Sequence, residues 1–323
     1  MAIIAGIDEA GYGPLLGPLV VSTAVLEVPD SHIRSDLWRI LSRAVSMEKK
    51  GLGGRLLVND SKKVYSRKSG IKHLRRTVLA FLLAADPGKE DLKTVEQLLL
   101  ALCPTFASQS ILYSWYSDLS QQPLKIEDEV RIAAGLLGRV MQENGIRIRK
   151  LQARCLEVSD FNEKIRMVKN KSRVLFGELC CLIDAVFRSE ATVSDKVQFL
   201  IDQQGGRLNY RPEIQRMFPD MELTELKADA NLNSYELAAG SRAMRLHFTA
   251  GADEKFLPVS LASMVSKLIR EVLMDNLNAY FSKICKNIKP TAGYWQDGQR
   301  YIAELYSSLP ASDVPKNLLV RIR

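Results

Sequence analysis

Near the start of the chain, apolar residues fall into two short runs, Ile3 to Ile7 and Leu19 to Leu26, the second rich in β-branched side chains. Glycines and prolines at Gly11, Gly13, Pro14, Gly17 and Pro18 stand between them and demand a turn, so the pattern predicts strand, tight loop, strand. The Asp8–Glu9 pair then falls at a strand end. Leu56 to Val58 predicts a third strand. After Asn59-Asp60-Ser61, the residues Ile71, Leu74, Val78 and Leu82 keep helical spacing. The opposite face of that helix carries Lys68, Lys72, Arg75 and Arg76 and is either solvated or turned toward phosphates.

Further along, Ile126, Val130, Ala133, Leu137 and Val140 mark a helix that Asn144-Gly145 should stop, and Ile146 to Leu156 then alternates like a strand. Leu175, Leu179, Leu182 and Val186 mark another helix, followed by Val197 to Ile201 as a buried strand ending in Asp202. Ala243 to Ala250 reads as a strand, with Asp253 in the connection after it. Pro258 opens the longest helical pattern, whose core-facing stripe is Val265, Leu268, Val272, Tyr280, Phe281 and Ile284. Helix alternating with apolar strand predicts an α/β sheet.

Composition narrows the class of partner. The 323 residues are 46% hydrophobic, enough for a sizeable core, without low-complexity stretches or a fixed-period repeat. The formal charge of +8 and pI of about 9.2 suit a polyanionic partner. Five cysteines (Cys103, Cys155, Cys180, Cys181, Cys285) form no C-x-x-C pair and have three histidines for company. That pattern argues against structural zinc and for a reducing compartment. No apolar run approaches a membrane span, and the expected location is the cytoplasm.

Acids at strand ends suggest chemistry. Asp8 and Glu9 follow an apolar strand, where burial selects against charge unless a cation compensates. A chain rich in acids and poor in histidine suits magnesium or manganese, which prefer oxygen ligands. Two such ions can neutralise a phosphodiester, activate water and stabilise the leaving oxygen.

The run Gly6-Ile7-Asp8-Glu9-Ala10-Gly11-Tyr12-Gly13-Pro14, with Gly17-Pro18 after it, resembles the opening motif of the ribonuclease HII family. Asn59-Asp60-Ser61-Lys62-Lys63 is similar to that family's Asn-Asp-Ser-Lys block. Strand-terminal Asp202 follows, then Asp253 ten residues before Ser263. Val259 to Glu271 (VSLASMVSKLIRE) resembles the family's Ala-Ser-Ile-x-Ala-Lys-x-x-Arg-Asp helix, and Gly293-Tyr294 its late Gly-Tyr element. About half the length aligns in this way.

The resemblance implies a ribonuclease H-like mixed sheet flanked by helices. Residues 1–271 would form the catalytic domain, with a helical insertion at about 87–147 and a second insertion at about 209–250. Residues 272–323 would be a C-terminal helical segment packed against it. Asp8, Glu9, Asp202 and Asp253 would hold two Mg2+ or Mn2+ ions with substrate. Asp253 is preferred to Asp229, in Lys227-Ala228-Asp229-Ala230, because it has the family's distance to the Ala262-Ser263 helix start. Where the family has Asp-Gly, this chain places Gln203 and Gln204 between Asp202 and Gly205.

The implied activity is hydrolysis of the RNA strand of RNA/DNA hybrids, or at ribonucleotides embedded in duplex DNA, by a monomer, leaving 5′-phosphate and 3′-hydroxyl ends. Gly11, Tyr12, Gly13, Lys62, Lys267 and Tyr294 would contact substrate. Tyr12 stands where the family has an arginine, and a phenol lacks a guanidinium's charge and fork of donors. Trp295 could stack on a base or sugar, whereas Trp115 and Tyr116 are better read as core. The alternatives are a non-catalytic nucleic-acid-binding protein on the same fold and a metal nuclease acting on structured DNA.

Overall fold

A computed structural model of the chain describes residues 1–66, 69–191, 194, 196–205, 207–310 and 314–322. Lys68, expected on a basic helical face, lies outside the described residues. The strands are β1 (Ala2–Ala10), β2 (Leu19–Val28), β3 (Val45–Ser46), β4 (Leu56–Leu57), β5 (Arg147–Leu156), β6 (Val197–Asp202), β7 (Glu222–Ala228), β8 (Leu232–Ala239) and β9 (Arg242–Thr249). Seven of them form one sheet in the order β5-β2-β1-β6-β9-β8-β7. β2 is antiparallel to both β1 and β5, whereas β1, β6 and β9 run parallel. The chain is thus α/β, a mixed sheet flanked by helices.

Side-chain alternation divides β1 between two cores. Ile3, Ala5 and Ile7 join Phe199 and Ile201 of β6 beneath Leu175, Leu179, Leu182 and Val186 of the helix Lys171–Glu190. Ala2 and Ile4 face the other way, toward Leu261, Val265 and Leu268 of the helix Leu257–Ile284 and toward the helices Lys72–Ala85 and Asp128–Glu143. The helix Asp128–Glu143 stops at Asn144, and Gly145 takes the left-handed conformation (φ +64°) that a side chain would resist.

Several expectations are revised. Leu56–Leu57 does not enter the main sheet but pairs in parallel with Val45–Ser46 in a separate ladder. Residues 222–249 hold three strands where Ala243 to Ala250 alone was expected as one: β7 and β8 are antiparallel additions to the sheet, and β9 pairs in parallel with β6. The helix Leu257–Ile284 runs unbroken through residue 271. Its first five turns are buried on nearly every side, with the sheet on one flank and the helical addition on the other. Ile284, expected on its core stripe, is exposed. Within the addition, Trp115 and Tyr116 are core, in an aromatic cluster with Phe106 and Tyr113 that reaches Phe281 of the long helix.

A candidate carboxylate-lined active site

Three parallel strands bring the acids to one edge. Register pairs Ile7 with Ile201, so Asp8 and Asp202 each stand one residue further along adjacent strands, whose spacing in a sheet is about 4.8 Å. Asp202 pairs in turn with Thr249 at the end of β9. Beyond that pair, Gly251 (φ +61°) turns the chain into a short 3-10 segment, Ala252–Glu254, that contains Asp253. The Ala252 N–H donates to Asp202 Oδ1 at 2.7 Å, fixing the β9 exit against the β6 exit.

The helix Leu257–Ile284 pins this edge from one face. Ser266 Oγ donates to the Asp8 carbonyl (3.1 Å) and lies 2.8 Å from Ser22 Oγ. The Ser263 hydroxyl meets the Asp8 carboxylate and lies 3.0 Å from Ser61 Oγ, and Ser260 donates to the Asp253 carbonyl. Ser61 opens a one-turn helix whose preceding residue, Asp60, accepts from the Lys62 N–H at 2.9 Å. Sequence reasoning did not assign Asp60 to the site. It is buried beside Asp253, sharing a side-chain hydrogen bond with it. The available signal was its place between Asn59 and Ser61.

Crowded, buried acids resist ionisation. Burial, and then the neighbouring Glu9 and Asp202 carboxylates, hold Asp8 well above the usual carboxylate range against the hydrogen bond from Ser263. Burial and Asp202 push Glu9 up to about 7, opposed by Lys62. Burial, Asp60 and Asp202 push Asp253 up to about 6. Asp202 is raised chiefly by burial, moderated by the Ala252 N–H. Lys62 is the matching cation: although burial opposes its charge, Asp60, Asp253, Asp8 and Asp202 together hold it above its ordinary value. Asp8, Glu9, Asp202, Asp253 and Lys62 therefore converge electrostatically.

Other expected site residues lie at varying distances from this cluster. Asp229 is exposed in the β7–β8 turn, where it accepts from the Asn231 and Leu232 N–H groups and pairs with Lys227 at 2.9 Å, the work of a turn acid. Lys267 is committed to Glu271 (2.6 Å) and lies 4.8 Å over the Tyr65 ring, so it stands as a paired charge. Tyr294 is 55% exposed beside Gly13, with ring Cε1 3.8 Å from where a Gly13 Cβ would sit.

The loop that carries Gly11, Tyr12 and Gly13 is held from below. The Leu15 and Leu16 N–H groups donate to Gly293 O at 2.7 and 3.1 Å. Buried Arg270 donates to Leu16 O (3.2 Å) and Ala292 O (3.1 Å), and buried Arg321 donates from Nη1 to Gly11 O (2.5 Å) and from its backbone N–H to Leu15 O (2.9 Å). Two residues distant in sequence thus set the Gly11–Gly13 and Gly293–Tyr294 surfaces relative to one another. In Arg321→Ala, losing the buried guanidinium's bond to the loop should lower stability by about 1–3 kcal/mol. Denaturant unfolding would check this, and an unchanged midpoint would contradict it.

Clustered, largely buried hard-oxygen donors are the donor set a divalent magnesium- or manganese-like ion requires. As the side chains stand, no three of the described His, Cys, Asp or Glu residues close on a common point as metal ligands would. The fit therefore lies in donor chemistry and placement.

No protein-family model matches the chain, and no curated protein matches it by sequence. Among solved structures, it is similar to that of the PCNA:RNase HII complex from Archaeoglobus fulgidus. The identity is 18% and the TM-score 0.46, over 99% of this chain and 94% of that one. It is also similar to Bst-RNase HIII in complex with Mn2+, at 12% identity and TM-score 0.49, over 99% of this chain and 66% of that one. The ribonuclease H2 from Pyrococcus horikoshii OT3 is 15% identical with TM-score 0.41, over 98% of this chain and 92% of that one. These are likenesses of overall architecture, and the functional argument rests on the carboxylates. Among the described residues, no helix is long and apolar enough to cross a membrane.

Proposed function

We propose that the chain is a divalent-metal-dependent endonuclease that hydrolyses the RNA strand of RNA/DNA hybrids, or cuts at ribonucleotides embedded in duplex DNA, leaving 5′-phosphate and 3′-hydroxyl ends. The observation that carries this reading is the gathering of Asp8, Glu9, Asp202 and Asp253 at the shared edge of three parallel strands, largely buried, with Lys62 as the cation that acts on all but one of them. These four carboxylates would hold Mg2+ or Mn2+, with Asp60 behind Asp253. Such ions, when bound with substrate, supply charge neutralisation at the phosphate, an activated water and a stabilised leaving oxygen.

The chain's own residues do the positioning. Lys62 supplies a compact positive charge at the rim of the carboxylates, suited to a backbone phosphate. Gly11 and Gly13 leave backbone open to the ribose 2′-hydroxyl, and Gly11 must be glycine. Its φ is +88°, and a Cβ would lie 2.5 Å from Pro18 O and 2.6 Å from Arg270 Nε. Exposed Tyr294 beside Gly13 offers a ring face to the adjoining sugar.

Raised acid pKa values give the metal step a sign. An ion must displace the protons that Glu9 holds up to about pH 7 and Asp253 up to about pH 6. Apparent Mn2+ affinity should therefore rise as pH goes from 5.5 to 8, with net proton release near pH 6.5. Calorimetry in buffers of different ionisation enthalpy measures both, and pH-independent affinity would contradict the cluster.

The activity itself is tested by comparing a duplex with one ribonucleotide, an RNA/DNA hybrid and an all-DNA duplex under Mg2+ or Mn2+. Cutting confined to ribonucleotide-containing substrates is expected. Cutting of all-DNA duplex would favour a structured-DNA nuclease, and binding without cutting a non-catalytic protein.

A further inference from the structure

The helix Lys72–Ala85 begins in a group of cations that the carboxylate site does not use. Lys72 opens it, exposed, and His73 follows. Burial, and then the charges of Lys49, Arg76 and Lys72, hold the His73 imidazole below its ordinary range, and the charges acting on it are all positive. One turn on, Arg76 donates from Nη1 to Arg55 O (2.8 Å) and from Nη2 to Gly54 O (2.6 Å). Arg55 in turn donates from Nε to Leu52 O (3.0 Å) and from Nη2 to Gly51 O (2.9 Å). Backbone carbonyls thus fix both guanidiniums without neutralising them. Lys49 Nζ lies 3.3 Å from Ser69 Oγ, again an uncharged partner.

Nearby acids are engaged elsewhere. Arg75 takes Glu127 at 3.9 Å and Arg43 takes Glu143 at 2.6 Å. The acid adjacent to Lys49 in the chain, exposed Glu48, is not among the charges that act on His73. Among the described residues, Lys49, Arg55, Lys72 and Arg76 make no ion pair with a carboxylate. Cations already held in place by the backbone lose little freedom on meeting an anion, which lowers the cost of binding there.

The chain itself ties this group to the catalytic edge. Val45–Ser46 pairs with Leu56–Leu57, the Asn59 side chain donates to Met47 O (2.9 Å), and Thr77 Oγ1 donates to Leu57 O (2.8 Å). Lys49, the Gly51–Arg55 loop and the start of the helix are therefore fastened to the segment that ends in Asp60, Ser61 and Lys62. Three of the five loop residues are glycines, and a Cβ at Gly51 or Gly54 would meet nothing within 4 Å, so a bulky ligand can approach closely.

We infer that Lys49, Arg55, Lys72 and Arg76 form a docking surface for the sugar–phosphate backbone of the duplex, holding phosphates away from the one that is cut and reading no base. This rests on the nuclease reading above for the identity of the polyanion. It also assigns a role to the basic face of this helix, which the apolar pattern left open between solvent and phosphate.

The test is binding, kept apart from cleavage. An Asp8→Asn protein in EDTA is titrated with an RNA/DNA hybrid across a salt series. It is used alone and combined with Lys49→Gln plus Lys72→Gln, with Lys49→Arg plus Lys72→Arg, or with Lys286→Gln. All three lysines are exposed, and Lys286, just past the far end of the helix Leu257–Ile284, is the control. The double glutamine variant should lower the magnitude of the log K against log salt slope by about 1.8, two phosphate contacts at about 0.9 each, equally for unrelated sequences. The double arginine variant and Lys286→Gln should keep the parent slope. Hybrid should also raise the pKa of His73, because phosphates offset the cations around it. With three histidines in the chain, NMR follows that titration directly. An unchanged slope in the double glutamine variant, or a His73 pKa unmoved by saturating hybrid, overturns the docking surface and leaves the nuclease reading intact when the parent binds. No binding by the parent overturns both.

Discussion

Asp8→Asn is expected to lower hybrid cleavage by roughly 10³-fold or more and, in the same preparation, to raise the melting temperature of the metal-free protein at pH 8. The first effect follows from removing an anionic donor from the site that would position the metal, where loss of even one preorganised polar group commonly costs two to three orders of magnitude. The second follows from the cost of burying like charges. Asp8 is 7% exposed, and Glu9 and Asp202 both act to keep it protonated. Asparagine keeps an oxygen to accept the Glu9 N–H, now at 2.7 Å, without the charge.

Between about pH 4.5 and 7 the folded metal-free protein holds more protons than the unfolded chain, because Glu9 rises from 4.5 to about 7. Metal-free stability therefore falls as pH rises through that window. Glu9 alone accounts for about 3 kcal/mol. Relief of 1 to 3 kcal/mol in Asp8→Asn corresponds to roughly 2–6 °C in a chain of this size. Added Mn2+ should reverse the ranking, since the wild type gains binding energy that the variant cannot. Scanning calorimetry with and without Mn2+ decides. A variant less stable than wild type in both conditions would make Asp8 an ordinary structural acid.

What the sequence disclosed depended on how local its signal was. Asp8 and Glu9 were legible because an apolar strand ending in two acids and a glycine turn is read within ten residues, whereas the parallel register of β1 with β6 was not, since two continuous apolar runs carry no register signal. The strands β7 and β8 were not. Glu222–Ala228 is an edge strand whose residues are almost all exposed, so no alternation marks it, and within 209–250 only Ala243 to Ala250 read as a strand. Asp60 was hidden by its other task as a helix cap, which any Asn-Asp-Ser sequence can perform. Arg270 and Arg321 depend on contacts across most of the chain, with Leu16 and Gly11. A lone basic residue carries no signal of what it will meet.

Gly6→Ala should be the most damaging single-atom addition in the strand that leads to the site. Gly6 lies mid-strand on the face of β1 that meets the N-terminus of the helix Leu257–Ile284. A Cβ there would fall 2.1 Å from Pro258 C, 2.3 Å from Pro258 O and 2.3 Å from Val259 N. These are backbone atoms, so no side chain can rotate away, and either the helix must retreat or the strand must bow. Overpacking a core typically costs 1–3 kcal/mol, and rigid backbone places this site at the upper end or beyond. The same displacement would carry Ser260, Ser263 and Ser266 away from Asp253 and Asp8, which they now hold in place. Denaturant unfolding should show a loss of about 3 kcal/mol or more, and any folded fraction should bind Mn2+ less tightly than wild type. An alanine variant with wild-type midpoint and Mn2+ affinity would mean that the helix does not approach β1 this closely, and the seating of Asp253 and Asp8 against its serines would fall with it.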